Sequence, residues 1–388
     1  MSKKKFSVNG SFKDSVNTVK FLTERKQFIN NAPAVLPTRT DDFGVNKVAA
    51  SLHPKVQNLV ISRIEEHSNI AKSYYFKSTA PIAYFKAGQY LTFRLEIGNS
   101  VVTRSYSIAS SPASALNGEY QITVKRISDG FVSDYILDNW SVGDAVVAYA
   151  PEGNMTYNPL RDAENIVAIA GGSGITPFLS LARAIDQGDE DCSLTLLYGC
   201  RTSEEILFKS ELDMLSEKNE KIKVVYVLSH SEEKGYEKGF VGADVIKKYA
   251  PEGDYSVFVC GPGGLYKFLE TELPKLEKER KYIRFEVFSS GKKKEESKEY
   301  SITVINRGTE SVIKADSNET VLCAFERAGI YVPARCHTGE CGFCRSKLVS
   351  GMVYIPEGED KRRVADMQFN FIHPCCCFPE SDLVIRIN

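Results

Sequence analysis

Hydrophobic and polar positions divide the chain into stretches of different rhythm. Residues 1–54 are polar and lysine-rich, with Val16, Val19, Leu22 and Ile29 spaced for one amphipathic helix before Pro33 and Pro37 break the pattern. From Val56, short alternating or apolar runs follow, among them 89–95, 106–108, 120–124 and 145–148, punctuated by glycines and prolines. Strands at this spacing predict a small antiparallel β-barrel over residues 55–158. After Pro159, continuous apolar runs at 166–170, 194–198, 224–228 and 257–260 alternate with helix-like segments, the pattern of an α/β domain with a parallel sheet over 159–288. Residues 289–299 are small and charged and predict a solvated linker. A third unit, 300–388, opens on the strand-like Tyr300–Asn306. The fold class is multidomain, and no internal repeat is present.

Composition narrows the function. A chain of 388 residues has room for several cores. Its 49 lysines and arginines nearly balance 50 aspartates and glutamates, so neither nucleic acid nor an anionic membrane is indicated as a partner. The apolar runs fall far short of the about 20 residues needed for a membrane span. The start, Met-Ser-Lys-Lys-Lys, leads into polar residues and not into the apolar core of a secretion signal. A soluble, cytoplasmic protein is expected.

Of ten cysteines, six crowd into residues 336–377, which in a protein without a leader points to metal ligation, not to disulfides. Cys336, Cys341 and Cys344 have the spacing C-x4-C-x2-C of plant-type iron-sulfur sites, whose fourth cysteine lies far downstream. Soft thiolates suit iron-sulfur iron, and Gly339 and Gly342 let backbone N–H groups approach the sulfurs. A zinc site would pair two knuckles, and this chain has one. Cys375, Cys376 and Cys377 are all candidates for the fourth ligand. His337 and His373 read as loop residues. The segment from Tyr300 onward resembles a plant-type ferredoxin domain, a β-grasp α+β fold. The resemblance favours Cys375, because Pro379 and Ser381-Asp382 follow it as they follow the last ligand in that family.

Upstream, Arg104-Ser105-Tyr106-Ser107 begins a strand-like run after Tyr90, and Lys125-Arg126 precedes Gly130-Phe131-Val132-Ser133. Each piece alone fits any exposed strand or turn. Together they resemble the flavin barrel of the ferredoxin-NADP reductase superfamily. The resemblance implies that Arg104 clamps a pyrophosphate, that Tyr106 and Ser107 meet the isoalloxazine, and that Lys125 lies on a basic strand beside it. It also implies that Gly130, Val132 and Ser133 offer donors to phosphate at a helix start. FAD is favoured over FMN.

Next, Gly171-Gly172-Ser173-Gly174-Ile175-Thr176-Pro177 joins an apolar strand to a helix, the right context for a dinucleotide. Its form, G-x-G-x-x-P, resembles that superfamily's version, with Gly172, Gly174, Thr176 and Pro177 as binding residues. Cys260-Gly261-Pro262 resembles its Cys-Gly-Pro loop, which places Gly261 and Pro262 at the cofactor and Cys260 near the nicotinamide, although Leu265 stands where a methionine is usual. Taken alone, Cys260 reads as a buried strand thiol. By the resemblance Ser107 and Cys260 are the catalytic candidates. Glu286 and Phe288 would approach the flavin edge, and an ordinary last strand explains them equally. Arg201 could meet a 2′-phosphate, whereas Glu204 and Glu205 would repel one, so the charge balance favours NADH over NADPH.

The order of flavin, nucleotide and ferredoxin parts resembles single-chain reductases that feed oxygenases or hybrid-cluster proteins. It implies hydride transfer from NAD(P)H to FAD, then single electrons to a [2Fe-2S] cluster and to an external metalloenzyme or flavoenzyme. The alternative is an obligate subunit of a larger redox complex, with residues 1–54 as a docking arm; an extra helix on the barrel is the plainer account of that segment.

Overall fold

The computed structural model describes residues 12–30, 43–52, 54–78, 80, 82–127, 130–287 and 296–387. The chain divides into a short unit ending at Ala50 and a main unit from Ser51. The first carries helix α1 (Phe12–Asn30) and the start of α2 (Gly44–Leu52). Val16, Val19 and Leu22 on α1 are exposed.

The main unit begins with six antiparallel strands: β1 (Val56–Ser68), β2 (Ala71–Lys77), β3 (Tyr90–Ile97), β4 (Ser100–Ser107), β5 (Glu119–Lys125) and β6 (Ala145–Tyr149). They form one sheet in the order β4-β3-β6-β1-β2-β5, and its edges meet at the bridge Ile108–Ile122, a half-closed barrel. β1 opens with strict alternation, burying Gln57, Leu59 and Ile61, because successive strand side chains point to opposite faces. Trp140 packs edge-on against Tyr74, Phe76 and Phe93 inside. Two short helices, α3 (Pro112–Leu116) and α4 (Phe131–Asn139), cap the barrel.

The next domain alternates β7 (Asn165–Gly171), α5 (Thr176–Gln187), β8 (Ser193–Cys200), α6 (Lys209–Lys218), β9 (Ile222–Leu228), β10 (Glu237–Lys238), α7 (Ala243–Tyr249), β11 (Tyr255–Cys260), α8 (Gly263–Glu272) and β12 (Ile283–Glu286). All six strands run parallel in the order β10-β9-β8-β7-β11-β12. β11 is buried throughout, as expected of a strand covered on both faces. The order reverses between β7 and β11, which opens a crevice at their carboxyl ends. α5 fastens this domain to the barrel: Ser180 Oγ donates to Ser110 O at 2.7 Å, and Arg183 to Ala109 O at 2.7 Å.

The C-terminal domain contains β13 (Glu299–Asn306), β14 (Thr309–Asp316), α9 (Val321–Arg327), β15 (Ser346–Ser350), β16 (Val353–Tyr354), α10 (Val364–Gln368), β17 (Phe371–Ile372), β18 (Phe378–Pro379) and β19 (Leu383–Ile387). Its main sheet, β14-β13-β19-β15-β17, has parallel β13 and β19 at the centre. α9 shares one core with Ile302, Val304 and Ile385 of that sheet. Among the described residues, no helix is long and apolar enough to cross a membrane.

Candidate functional site

Cys336, Cys341 and Cys344 lie in the loop from α9 to β15, and Cys375 in a tight turn, Pro374–Cys376. The Cys344 and Cys375 sulfurs are 3.4 Å apart. Hydrogen bonds from the Cys341 and Cys375 thiols hold the Cys336 thiol far below its ordinary range. Backbone N–H groups of Cys341 and Thr338 point at the Cys336 sulfur, at 3.4 and 3.5 Å. Gly339 is obligatory here: its φ is +79°, and a Cβ would stand 2.7 Å from the Cys376 sulfur. Cys376 therefore packs against the loop's back, and Cys377 is buried, its carbonyl accepting from Val321 N. His373 Nδ1 lies 2.6 Å from Gly339 O.

The flavin motif lies on β4, an edge strand, and that edge faces the cysteine loop. Thr103 Oγ1 donates to Ala334 O at 2.8 Å and lies 3.1 Å from His337 Nε2. Ser105 Oγ donates to Arg335 O at 3.0 Å. Arg335 in turn pairs with Glu152. Burial, with Arg104 nearby, pushes the His337 pKa down to about 3, so the ring is neutral beside Cys336. Arg104 makes a two-pronged ion pair with Glu326 of α9. Tyr106 packs its ring against Phe93 in the barrel. Lys125 Nζ bonds Glu205 at 3.4 Å and lies beside Gly172. Gly130 starts α4 with Val132 and Ser133 buried in its first turn, and a Cβ on Gly130 would collide with Ser133 Oγ at 2.2 Å.

At the switch point, the loops after β7 and β11 touch. A Cβ on Gly174 would lie 2.1 Å from Cys260 O, and Gly171 is packed against Pro262. Gly172 has φ +53°, and its carbonyl accepts from Tyr198 OH. Thr176 Oγ1 donates to Ser173 O, and Pro177 occupies the first helical turn, where its missing donor is harmless. Gly261 N donates to Tyr266 OH, which donates to Glu286 O and so fixes the end of β12. Arg201 is exposed after β8. Phe288 lies outside the described residues.

These pieces converge. Ser107 Oγ donates to Glu286 Oε2 at 3.4 Å. Burial pushes the Glu286 carboxyl up to about 8, and burial with Glu286 nearby pushes the Cys260 thiol up. Tyr90, opposite Ser107 in the β3–β4 register, has its phenol pushed up by burial and by Glu152, Cys336, Glu286 and Cys341 around it. Glu152, Arg335 and Glu326 carried no motif; the one signal for Glu326 is an acid on the apolar run Val-Leu-Cys-Ala-Phe.

Known proteins agree with this architecture. Family profiles match an oxidoreductase FAD-binding domain at residues 58–157, an oxidoreductase NAD-binding domain at 168–271 and a 2Fe-2S iron-sulfur cluster binding domain at 304–380. The ferredoxin reductase component of 3-ketosteroid-9-alpha-monooxygenase from Mycobacterium tuberculosis is 30% identical over 77% of this chain and 84% of its own. The glycine betaine monooxygenase reductase subunit of Chromohalobacter salexigens is 26% identical over 81% and 91%. Phthalate dioxygenase reductase superposes with a TM-score of 0.66 at 26% identity, over 86% of this chain and 98% of that structure. Fold and site thus define a flavin- and iron-sulfur-dependent NAD(P)H oxidoreductase. The chain belongs to the ferredoxin-NADP reductase superfamily, in the branch whose flavin and nucleotide domains are followed by a C-terminal [2Fe-2S] domain, and it is an electron-transfer reductase.

Proposed function

We propose that this reductase takes electrons from NADH and delivers them singly to the oxygenase component of a two-part monooxygenase or dioxygenase. The support for an oxygenase acceptor is the role of the similar proteins, which are reductase components of monooxygenases. The support for the route is the dock between β4 and residues 334–337, which sets the cluster loop directly on the flavin strand.

The residues fit the three groups. Two sulfur pairs, Cys336 with Cys341 and Cys344 with Cys375, suit a two-iron cluster, and N–H groups aimed at Cys336 favour its thiolate. The bare backbone of Gly172 and Gly174 at the switch point suits a pyridine nucleotide, whose pyrophosphate meets the start of α5. On β4, Arg104 would hold the FAD diphosphate, with Lys125, Gly130, Val132 and Ser133 completing the cradle and Tyr106 bordering the ring. A bound flavin accepts hydride as an electron pair and yields electrons one at a time, which matches a nicotinamide to a cluster. Ser107 and Cys260 border the reacting edge. Buried Glu286 holds a proton at Oε up to about pH 8 and keeps it within reach of Ser107. Glu205 neutralises Lys125 and, with Glu204, disfavours a 2′-phosphate.

The test is anaerobic mixing of reconstituted full-length protein with NADH. The visible spectrum should bleach in a fast phase followed by reduction of the cluster; failure with both NADH and NADPH would overturn the reading. Replacing Cys341 with Ser should abolish cytochrome c reduction and spare ferricyanide reduction by the flavin.

A further inference from the structure

We infer that Glu326 of the iron-sulfur domain is a positioning residue for the flavin site, fixing the plane in which Arg104 presents its guanidinium to the flavin diphosphate. The inference rests on the reading of Arg104 as a flavin residue and makes that site depend on the C-terminal domain.

α9 turns Val321, Leu322, Ala324 and Phe325 into the core of its own domain. Glu326 is just 5% exposed yet spends its carboxylate outside that core, on β4. Arg104 Nη1 donates to Glu326 Oε1 at 3.2 Å and Nη2 to Oε2 at 3.1 Å, while Nη1 also donates to Thr103 O at 2.6 Å. Two parallel bonds to one carboxylate fix the guanidinium plane. Of the five N–H donors of an arginine, this leaves Nε–H and the second Nη2 hydrogen, which form the side-on fork that accepts a second anion.

The pair is placed for this task. Arg104 lies between Thr103 and Ser105, whose hydroxyls bond Ala334 O and Arg335 O, so one docked strand segment carries all three contacts. Burial pushes the Glu326 carboxyl up, and Arg104 opposes that push, which makes the arginine the cation that sustains a buried carboxylate. Neither residue could be relaid without the other moving.

The experiment uses the full-length chain loaded with FAD and cluster, comparing Glu326→Ala, Glu326→Gln, Arg104→Ala and the Arg104→Ala/Glu326→Ala double variant. FAD affinity is read from flavin fluorescence quenching, cluster content from the visible and EPR spectra, and cluster reduction from anaerobic stopped flow with NADH. Glu326→Ala should weaken FAD about tenfold with cluster content unchanged, consistent with loss of a charged hydrogen-bonded anchor. Glu326→Gln should fall between it and the parent, and the double variant should bind FAD no more weakly than Arg104→Ala alone. Wild-type or tighter FAD binding in both Glu326 variants, with Arg104→Ala weakened, overturns the inference and leaves the role of Arg104 standing. Wild-type binding in Arg104→Ala overturns that role itself. If Glu326→Ala also loses cluster, the isosteric Glu326→Gln decides.

Discussion

Ser107 on the flavin strand and Glu286 at the end of β12 meet across two domains, the serine hydroxyl donating to the carboxyl at 3.4 Å. The contact joins the last residue of β4 to the strand next to Cys260, and adds to the Ser180–Ser110, Arg183–Ala109 and Lys125–Glu205 contacts that tie the barrel to the parallel-sheet domain. A carboxyl sunk there without a cation favours its neutral form, and burial pushes Glu286 up to about 8.

That shift sets a pH dependence of stability. Below about pH 4.5 both folded and unfolded chains hold the proton on this residue; between there and about pH 8 just the folded chain does, so stability falls as pH rises through that window and the slope from this group vanishes above it. Glu286→Gln removes the titration. The drop in urea midpoint between pH 5 and pH 8.5 should shrink in the variant, and an undiminished drop would assign the proton elsewhere.

The parallel sheet was legible because strands buried on both faces write continuous apolar runs: 166–170, 194–198, 224–228 and 257–260 fall within β7, β8, β9 and β11. Of the barrel, β3, β5 and β6 were legible as short strand-like runs at 89–95, 120–124 and 145–148, whereas the run at 106–108 caught just the end of β4. C-x4-C-x2-C is local and could be read without coordinates. Contacts between distant segments could not: the choice among Cys375, Cys376 and Cys377 depends on which sulfur a tight turn swings toward Cys344, and all three lie in one apolar environment. Glu326 was hidden for a related reason, since its partner Arg104 is 222 residues away.

The cysteine triplet yields a direct comparison. Cys375→Ser should lose the [2Fe-2S] visible bands and EPR signal and lower the iron content, because its sulfur is the one beside Cys344 and Cys336. Cys376→Ser should keep the cluster, since its sulfur rests behind Gly339 and faces His373 O at 3.4 Å. Iron analysis of the two variants side by side checks this, and the reverse pattern would move the ligand to Cys376.

Gly174 offers a test of the nucleotide crevice. A methyl there meets a backbone oxygen, Cys260 O, at 2.1 Å, and neither loop can yield without opening the β7–β11 seam. Gly174→Ala should cost about 1–3 kcal/mol of stability, as overpacking does, and raise KM for NADH well beyond that of Gly263→Ala. Gly263 has open space around its Cβ position and serves as the control. Thermal melts and steady-state kinetics of the two separate a general loss of packing from a specific loss of nucleotide binding.

The proposed preference for NADH rests on Glu204 and Glu205, which differ in what else they do. Glu205 is tied to Lys125 at 3.4 Å, so replacing it frees a cation next to Gly172 and disturbs two sites at once. Glu204 is exposed, and its charge reaches a 2′-phosphate only through screened solvent. Its repulsion is therefore weak, and Glu204→Gln should raise kcat/KM for NADPH relative to NADH by up to about fivefold while leaving the NADH value near that of the parent. The effect should fade as salt rises from low to about 1 M, where the screening length shortens to about 3 Å. A selectivity that does not move with either the substitution or the salt would place the discrimination in the shape of the loop after β8 instead of its charge.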